Sequence, residues 1–147
     1  MPQEEFFGLL AERLAGALGM RRVAIRVMDE PRGRATRLGT YGPPLTNLPD
    51  ETSIEDSPLA LDVSRPAKAV VEDLSARSVP EAATINVSSL LIAPIRLGDR
   101  FAGVIVADKN GEPFRLDEGE LDLAQAMANV AALALEGART RQAAAVS

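Results

Sequence analysis

Four large apolar side chains near the start of the chain recur every three or four residues, the spacing of one face of an α-helix. They are Phe7, Leu10, Leu14 and Leu18. Gly19 follows the last of them, where glycine commonly ends a helix in a left-handed conformation. The pattern predicts an amphipathic helix over residues 4–18.

An alternating pattern replaces the helical one in the next segment, RRVAIRVM. In a strand, successive side chains point to opposite faces. One face carries Val23, Ile25 and Val27, and the other carries Arg22, Ala24, Arg26 and Met28. The turn-forming sequence DEPRGR follows, so RATRLGTYG is predicted to return as an antiparallel partner strand.

The middle of the chain is rich in proline and polar turn formers. The segment GPPLTNLPDETSIED predicts a loop, and the capping residue and first-turn proline that follow predict a short helix over residues 58–64. PAKAVV is predicted to form a brief strand. EDLSARSVPEAATINV is predicted to form a loop with one helical turn near residues 80–84.

Two runs, LLIAPI and FAGVIVA, are apolar at nearly every position and are joined by a charged turn. Strands of this composition are buried on both faces, so this hairpin is expected to lie between two layers. A long helix is predicted from Asp117 or Glu118 to about Arg141, with two apolar stripes. One stripe is Leu121, Ala124, Ala128, Ala131 and Leu135, and the other is Leu123, Met127, Val130 and Ala134.

The order of these elements predicts a single three-layer α+β domain with a central antiparallel sheet of five to six strands. The domain is expected to span residues 1–142. Residues 143–147 lose the apolar pattern, so they are expected to form a tail or the stub of a linker.

Composition restricts the function mainly through the residues that are missing. The chain has no cysteine and no histidine, which excludes disulfides, thiol redox chemistry and the commonest metal and haem ligands. It also lacks a serine nucleophile elbow and a glycine-rich phosphate loop. We therefore expect a protein that is not an enzyme and has no cofactor.

The charge balance argues against two classes of partner. A formal net charge of -5 disfavours binding to nucleic acid or to anionic membranes, since both require an excess of basic residues. The start of the chain is acidic, and no apolar stretch approaches the length of a membrane span. A cytoplasmic location is expected.

Three segments, RPAKAVVEDLSA, NVSSLLIAPIRLGDRFAGVIVADKNGEPF and ELDLAQAMANVAALALEGAR, resemble a GAF domain, the small-molecule sensory module of many signalling proteins. The resemblance extends over essentially the whole chain. It implies a profilin-like sheet, with the terminal helices on one face and short helices and loops over a ligand pocket on the other. The apolar hairpin is then expected at the centre of the sheet.

The resemblance does not identify a ligand, because the family binds cyclic nucleotides, haem, bilins, amino acids and anions, and some members bind nothing. Haem and bilin sites need histidine or cysteine, and the methionine sulfoxide reductases of the family use cysteine. Cyclic-nucleotide-binding members share an Asn-Lys, Phe, Asp-Glu signature. The nearest match here is Asp108-Lys109, Phe114 and Asp117-Glu118, which departs from the signature because Asp108 replaces asparagine and the spacing between Phe114 and Asp117 is one residue shorter. A structural role is favoured for it, with Lys109 pairing with a carboxylate.

Six residues are candidate ligand contacts: Arg26, Asp73, Thr84, Asn86, Ser88 and Ser89. Arg26 is predicted to point to the pocket side, where a guanidinium can pair with a carboxylate or phosphate. The alternatives are a solvated Arg26 or a pair with Asp73 or Glu72. The other five candidates carry short polar groups in or beside the loop 73–89. Exposed positions are expected for Arg21, Arg22, Arg32, Arg34 and Arg37.

The leading hypothesis is a regulatory domain that senses an unidentified small molecule and acts on an effector domain or partner protein. The alternative is a degenerate domain that serves only as a dimerisation and interaction module, its pocket filled by apolar side chains. A homodimer through the terminal helices is expected, because their apolar surfaces are wider than one stripe. In the competing monomer, the second stripe packs on the neighbouring terminal helix of the same chain.

Overall fold

The computed structural model describes residues 2–29, 34–43, 51–53, 65–74 and 87–146. Within these ranges, one helix precedes a set of strands and a second helix follows them. The elements are α1 (Gln3–Leu18), β1 (Arg22–Asp29), β2 (Arg34–Tyr41), β3 (Glu51–Ser53), β4 (Val70–Asp73), β5 (Ser89–Leu97), β6 (Arg100–Asp108) and α2 (Glu118–Val146). The strands form one six-stranded antiparallel sheet in the order β3-β2-β1-β6-β5-β4. The predicted α+β class and antiparallel sheet are confirmed.

The terminal helices form where the sequence pattern placed them. Gly19 ends α1 in the left-handed conformation with φ 68°, and its N–H donates to the carbonyl of Ala15. The last helix begins at Glu118 as predicted but continues beyond Arg141 to Val146. Neither described helix combines the length and the apolar composition of a membrane span.

The middle of the chain follows the prediction in part. β1 and β2 form the predicted antiparallel pair, while the strand predicted for PAKAVV begins only at Val70. Short β3 was not predicted, because three residues are too few to show a pattern. The short helix predicted over residues 58–64 and the helical turn near residues 80–84 lie outside the described residues.

One strand of the apolar hairpin, β6, is central in the sheet, and the other, β5, is its outer neighbour. The two central strands are β1 and β6, and β5 is covered by β4 only as far as the pair Val70 and Ile92. Pro94 lies beyond this pair on β5, and it has no N–H group to leave unpaired at the outer edge of the strand. Gln125 of α2 donates from Nε2 to the Pro94 carbonyl at 3.1 Å, so the helix covers this edge.

Both faces of the sheet carry buried apolar side chains, as the composition of the hairpin predicted. On one face, α1 and α2 pack against alternate residues of β1, β5 and β6. These strand residues are Val23, Ile25, Leu91, Ala93, Ile95, Ile105 and Ala107. A second, smaller cluster lies on the other face and comprises Leu74, Val87, Leu90, Ile92 and Val104. The terminal helices therefore share one face, as predicted.

Helix α1 lies very close to β2 at one point. A Cβ atom added to Gly39 would come within 2.4 Å of the backbone carbonyl oxygen of Phe7, well inside van der Waals contact. Phe7 is fully buried, so the helix cannot retreat without loosening the core. Glycine is required at this position by the approach of the helix backbone.

We expect Gly39→Ala to lower the free energy of unfolding by about 1–3 kcal/mol, the usual range for overpacking a well-packed site. The matched control is Gly16→Ala, on the exposed side of α1, where an added Cβ meets nothing within 4 Å. The free energy of unfolding of the control should rise by about 0.5–1 kcal/mol, because alanine is more favourable than glycine inside a helix. Urea unfolding measures both variants, and the free energy of unfolding should fall for Gly39→Ala and rise for Gly16→Ala. An equal change in the two variants would contradict this packing.

Candidate functional site

A cavity of about 290 Å³ lies against the face of the sheet opposite the terminal helices. We call it the β1–β2 cavity, and its lining includes Arg22, Ala24, Arg26, Arg37, Thr40, Tyr41, Leu90, Val106 and Asp108. Thr40 and Tyr41 are exposed, so they form the rim where the cavity meets solvent. Its walls come from four strands, and no short sequence motif contains them.

The strand register explains which side chains meet in the cavity. Ala24 of β1 lies opposite Thr40 of β2 and Val106 of β6. A register shift after Ile25 then places Arg26 opposite Arg37 in place of Leu38. Such a bulge inserts one residue into one strand and changes which side chains face each other. The two guanidinium groups are therefore brought to the same face of adjacent strands.

The face that carries the cavity changes in character from one edge of the sheet to the other. The β4, β5 and β6 side carries the small apolar cluster that includes Leu90, Ile92 and Val104. The β1 and β2 side carries the arginines and Thr40. The cavity lies where these two regions meet, so a molecule within it contacts polar groups on one side and apolar groups on the other.

The environment of Arg26 is electrostatically unfavourable for a cation. Burial, and then the nearby charge of Arg37, lower the pKa of Arg26 from its usual value. An arginine still keeps its proton near neutral pH, since its ordinary pKa lies far above neutrality. Two positive charges therefore lie near each other at the partly buried end of the cavity.

A buried ion pair forms part of the cavity wall. Arg22 donates from Nε to Oδ1 of Asp108 at 2.7 Å and from Nη2 to Oδ2 at 2.5 Å. The N–H of Asn110 also donates to Oδ1 of Asp108, at 3.1 Å. The expected exposed position of Arg22 is wrong, because Arg22 and Asp108 lie opposite each other on neighbouring central strands and are both buried. Its neighbour Arg21 is exposed and pairs with Glu112 at 3.5 Å.

Of the six candidate contacts that the sequence suggested, Arg26 lines the β1–β2 cavity. Asp73 is exposed at the end of β4 and, with Ser89, borders a separate groove beside the start of α2. Two strands separate β4 from β1, a distance of about 14 Å at the usual strand spacing. The alternative in which Arg26 pairs with Asp73 or Glu72 therefore does not fit the sheet order.

The two serines of the candidate set make hydrogen bonds within the fold. Ser88 donates from Oγ to the carbonyl of Gly111 at 2.7 Å, and Oγ of Ser89 accepts the N–H of Phe114 at 3.1 Å. They attach the segment before α2 to the start of β5. Thr84 and Asn86 lie outside the described residues, so their ligand contact stays a prediction.

The residues that resemble the cyclic-nucleotide signature make structural contacts. Nζ of Lys109 lies over the ring of Phe114, 5.5 Å from its centroid, where the sequence predicted a carboxylate partner. Asp117 and Glu120 form reciprocal hydrogen bonds between side chain and backbone N–H, at 2.7 and 3.0 Å, at the start of α2. This capping box satisfies two backbone donors at the helix end.

Sequence reasoning missed Arg37, Thr40 and Tyr41 as parts of the site. Thr40 was predictable in part, since it lies in the strand expected to pair with residues 21–28. The approach of Arg37 to Arg26 was not predictable, because it depends on the bulge between β1 and β2. Across the part of the chain that the structure describes, no three carboxylates gather as a metal site would require.

A family model described as GAF domain matches residues 3–137 of the chain. A comparison with curated protein sequences found no significant match. The chain is similar in structure to a free methionine-R-sulfoxide reductase from Neisseria meningitidis, solved in complex with its substrate. That similarity has a TM-score of 0.74 at 18% identity and covers 95% of this chain and 81% of the reductase chain.

Two further solved structures are similar over nearly the whole chain. The second GAF domain of DevS from Mycobacterium smegmatis has a TM-score of 0.71 at 18% identity, covering 96% of this chain and 98% of that one. The GAF domain of a phosphoenolpyruvate-protein phosphotransferase from Coxiella burnetii has a TM-score of 0.74 at 19% identity. That similarity covers 96% of this chain and 86% of the phosphotransferase chain. Identities this low establish the fold alone.

We expect Arg22→Met to lower the free energy of unfolding by about 3–5 kcal/mol, because it leaves the buried carboxylate of Asp108 without its partner. Arg21→Met is the matched control, since exposed ion pairs contribute only about 0–1 kcal/mol. Chemical denaturation measures both. The double variant Arg22→Met/Asp108→Leu should recover most of the loss, and a double variant as unstable as the single one would contradict the interpretation.

Proposed function

The chain belongs to the GAF domain family, and on this basis we propose that it is a non-enzymatic regulatory domain that senses a small molecule in the β1–β2 cavity. The proposed context is signal transduction or transcriptional regulation, with an effector domain or partner protein receiving the signal. The observation that carries the proposal is the cavity itself, where polar groups from two strands converge beside an apolar wall.

The size and lining of the cavity support sensing over a filled, degenerate pocket. Its volume of about 290 Å³ is at the lower end of ligand pockets, which commonly begin near 300 Å³. Ligand pockets usually combine apolar walls with a few polar groups that orient the molecule. Arg26, Arg37 and Thr40 provide such groups, so the cavity is suited to a small ligand.

The same lining favours binding over catalysis. The chain has no cysteine or histidine, so it has no thiol nucleophile and no imidazole base. The carboxylate of Asp108, which borders the cavity, is held by Arg22. One structural neighbour is a reductase, but the thiol redox chemistry open to cysteine enzymes requires a residue that this chain lacks.

The central strands give a physical route by which the cavity can affect the helices. In β1, Ala24 and Arg26 line the cavity, while Ile25 between them packs in the core under the terminal helices. In β6, Val106 lines the cavity, while Ile105 packs in that core. Because the core is closely packed, a displacement of these strands by a ligand is transmitted to α1 and α2.

We also propose that a second copy of the chain covers an exposed apolar face of α2. Leu123, Val130 and Leu133 are 42%, 44% and 68% exposed. They are seven and three residues apart, which places them on one side of the helix, in the repeat typical of paired helices. The competing monomer required the second stripe to be covered by α1, but two of its members, Leu123 and Val130, are exposed.

The sensing proposal is tested with Ala24→Leu, which adds apolar volume inside the cavity. Native mass spectrometry of the purified wild type and a thermal-shift screen over small metabolites should identify a ligand that stabilises the fold. At a ligand concentration 100 times the dissociation constant, the free energy of unfolding should rise by about 2.7 kcal/mol. Ala24→Leu should abolish that shift, and Ala17→Leu on the exposed side of α1 should retain it. Undiminished binding by Ala24→Leu would exclude this cavity as the site.

The dimer proposal is tested by Val130→Glu/Leu133→Glu, which places two charges on the exposed apolar face. Light scattering at micromolar concentration should show a dimeric wild type and a monomeric double variant, because burying unpaired carboxylates is costly. Ala17→Glu adds a charge on the exposed side of α1, outside the apolar face of α2, and should stay dimeric. A monomeric wild type would disprove the proposal.

A further inference from the structure

We infer that Gly42 is a positioning residue that sets the opening of the β1–β2 cavity. Tyr41, Gly42 and Pro43 are consecutive residues that border the cavity where β2 ends. We call them segment 41–43, and we call residues 19–21, which connect α1 to β1, the α1–β1 junction. The inference rests on the proposed sensing function, because it takes segment 41–43 as part of the entrance for the ligand.

Gly42 lies in close backbone contact with Arg21 of the junction. A Cβ atom added to Gly42 would collide with the carbonyl oxygen of Arg21 and lie 3.1 Å from its carbonyl carbon. Both are backbone atoms, so no side chain can rotate to make room. Gly42 also has a φ of 81°, in the left-handed region that glycine adopts readily and other residues adopt at a cost. Two separate features therefore favour glycine here.

The α1–β1 junction is held on both sides of the Arg21 carbonyl. The buried residue Met20 donates its backbone N–H to the carbonyl of Ala15 at 3.0 Å. Arg21 donates its own N–H to the carbonyl of Asp108 at 2.9 Å. Arg22 then donates two side-chain hydrogen bonds to the carboxylate of Asp108. The carbonyl of Arg21 is therefore a fixed surface against which Gly42 rests.

Segment 41–43 is the less constrained side of this contact. All three of its residues are exposed, and Tyr41 is the last residue of β2 in register with β1. A side chain at position 42 would therefore push this segment outward and leave the junction in place. Tyr41 and Pro43 would move with it, and both border the cavity. Gly42 thereby keeps segment 41–43 close to the junction and limits the opening.

The same contact attaches the opening of the cavity to the end of α1. Gly19 ends the helix, and one residue separates it from Arg21. This connection uses backbone groups alone and is separate from the route through the central strands. The position of the helix end therefore contributes directly to the position of segment 41–43.

Tyr41 provides the measurement for this inference. It is the only tyrosine, it is 41% exposed, and the chain has no tryptophan, so tyrosine fluorescence reports on segment 41–43 alone. The probe is acrylamide, a small neutral molecule that quenches fluorescence by collision. Its quenching constant rises as more of the tyrosine ring becomes accessible, and the wild type unfolded in urea gives the upper reference.

Three variants separate the contact from the backbone conformation. Gly42→Ala adds the colliding Cβ atom and disfavours the positive φ. Gly42→Asn adds the same atom, but asparagine tolerates a positive φ better than alanine does. The matched control is Gly98→Ala in the β5–β6 turn, because Gly98 has a φ of 65° and an added Cβ there meets nothing within 4 Å.

We expect both Gly42 variants to raise the acrylamide quenching constant of the folded protein toward the value of the urea-unfolded chain. Gly98→Ala should keep the wild-type constant, although it also places alanine at a positive φ. Circular dichroism and melting temperatures, measured in the same buffer, establish that each constant is read from folded protein.

Three outcomes would overturn the inference. An unchanged quenching constant in both Gly42 variants would mean that the contact does not position Tyr41. A rise in Gly42→Ala without a rise in Gly42→Asn would assign the effect to the backbone conformation in place of the contact. If both Gly42 variants fail to fold while Gly98→Ala folds, the contact supports the whole fold and not the opening of the cavity.

The measurement contains no ligand, so its result is independent of the sensing proposal. That proposal is judged by whether Ala24→Leu abolishes binding of the ligand found by native mass spectrometry. If Ala24→Leu binds as the wild type does while the Gly42 variants raise quenching, Gly42 positions segment 41–43 but the cavity is not the ligand site.

Discussion

The buried ion pair between Arg22 and Asp108 joins the start of β1 to the end of β6, across 86 residues of sequence. These are the two central strands, so their register determines which residues face each side of the sheet. A guanidinium and a carboxylate that are both buried must stay paired, since either one alone is costly in a dry environment. The pair therefore disfavours a register slip, which would leave both charges unpaired and turn the apolar residues of the strands away from the helices.

That register gives the two faces of the sheet separate roles. One face holds alternate apolar residues against α1 and α2, and close contacts such as the one at Gly39 make it intolerant of added volume. The other face is only partly apolar, because arginines replace aliphatic side chains on β1 and β2. The cavity lies there because charged side chains do not fill space as closely packed hydrocarbons do.

The proposed ligand and the proposed dimer lie on opposite sides of the same central strands. A ligand in the β1–β2 cavity contacts β1 and β2, where neighbouring residues pack beneath α1. Helix α2 packs on β5 and β6 and against α1, and it presents Leu123, Val130 and Leu133 outward. Binding in the cavity and pairing of the helices are thus linked through one sheet, which suits a domain that passes a signal onward.

The sequence by itself determined the helices, most strands and the assignment of Val23 and Ile25 to one face with Arg26 on the other, because these follow from local spacing along the chain. Its absent cysteine and histidine also restricted the chemistry. Only the tertiary structure decided that Arg22 is buried against Asp108, that Arg37 meets Arg26, and that Ser88 and Ser89 hold the segment before α2. Each of these contacts joins residues that are distant in sequence or realigned by a bulge. Strand order and register determine such contacts, and neither produces a pattern within a short stretch of sequence.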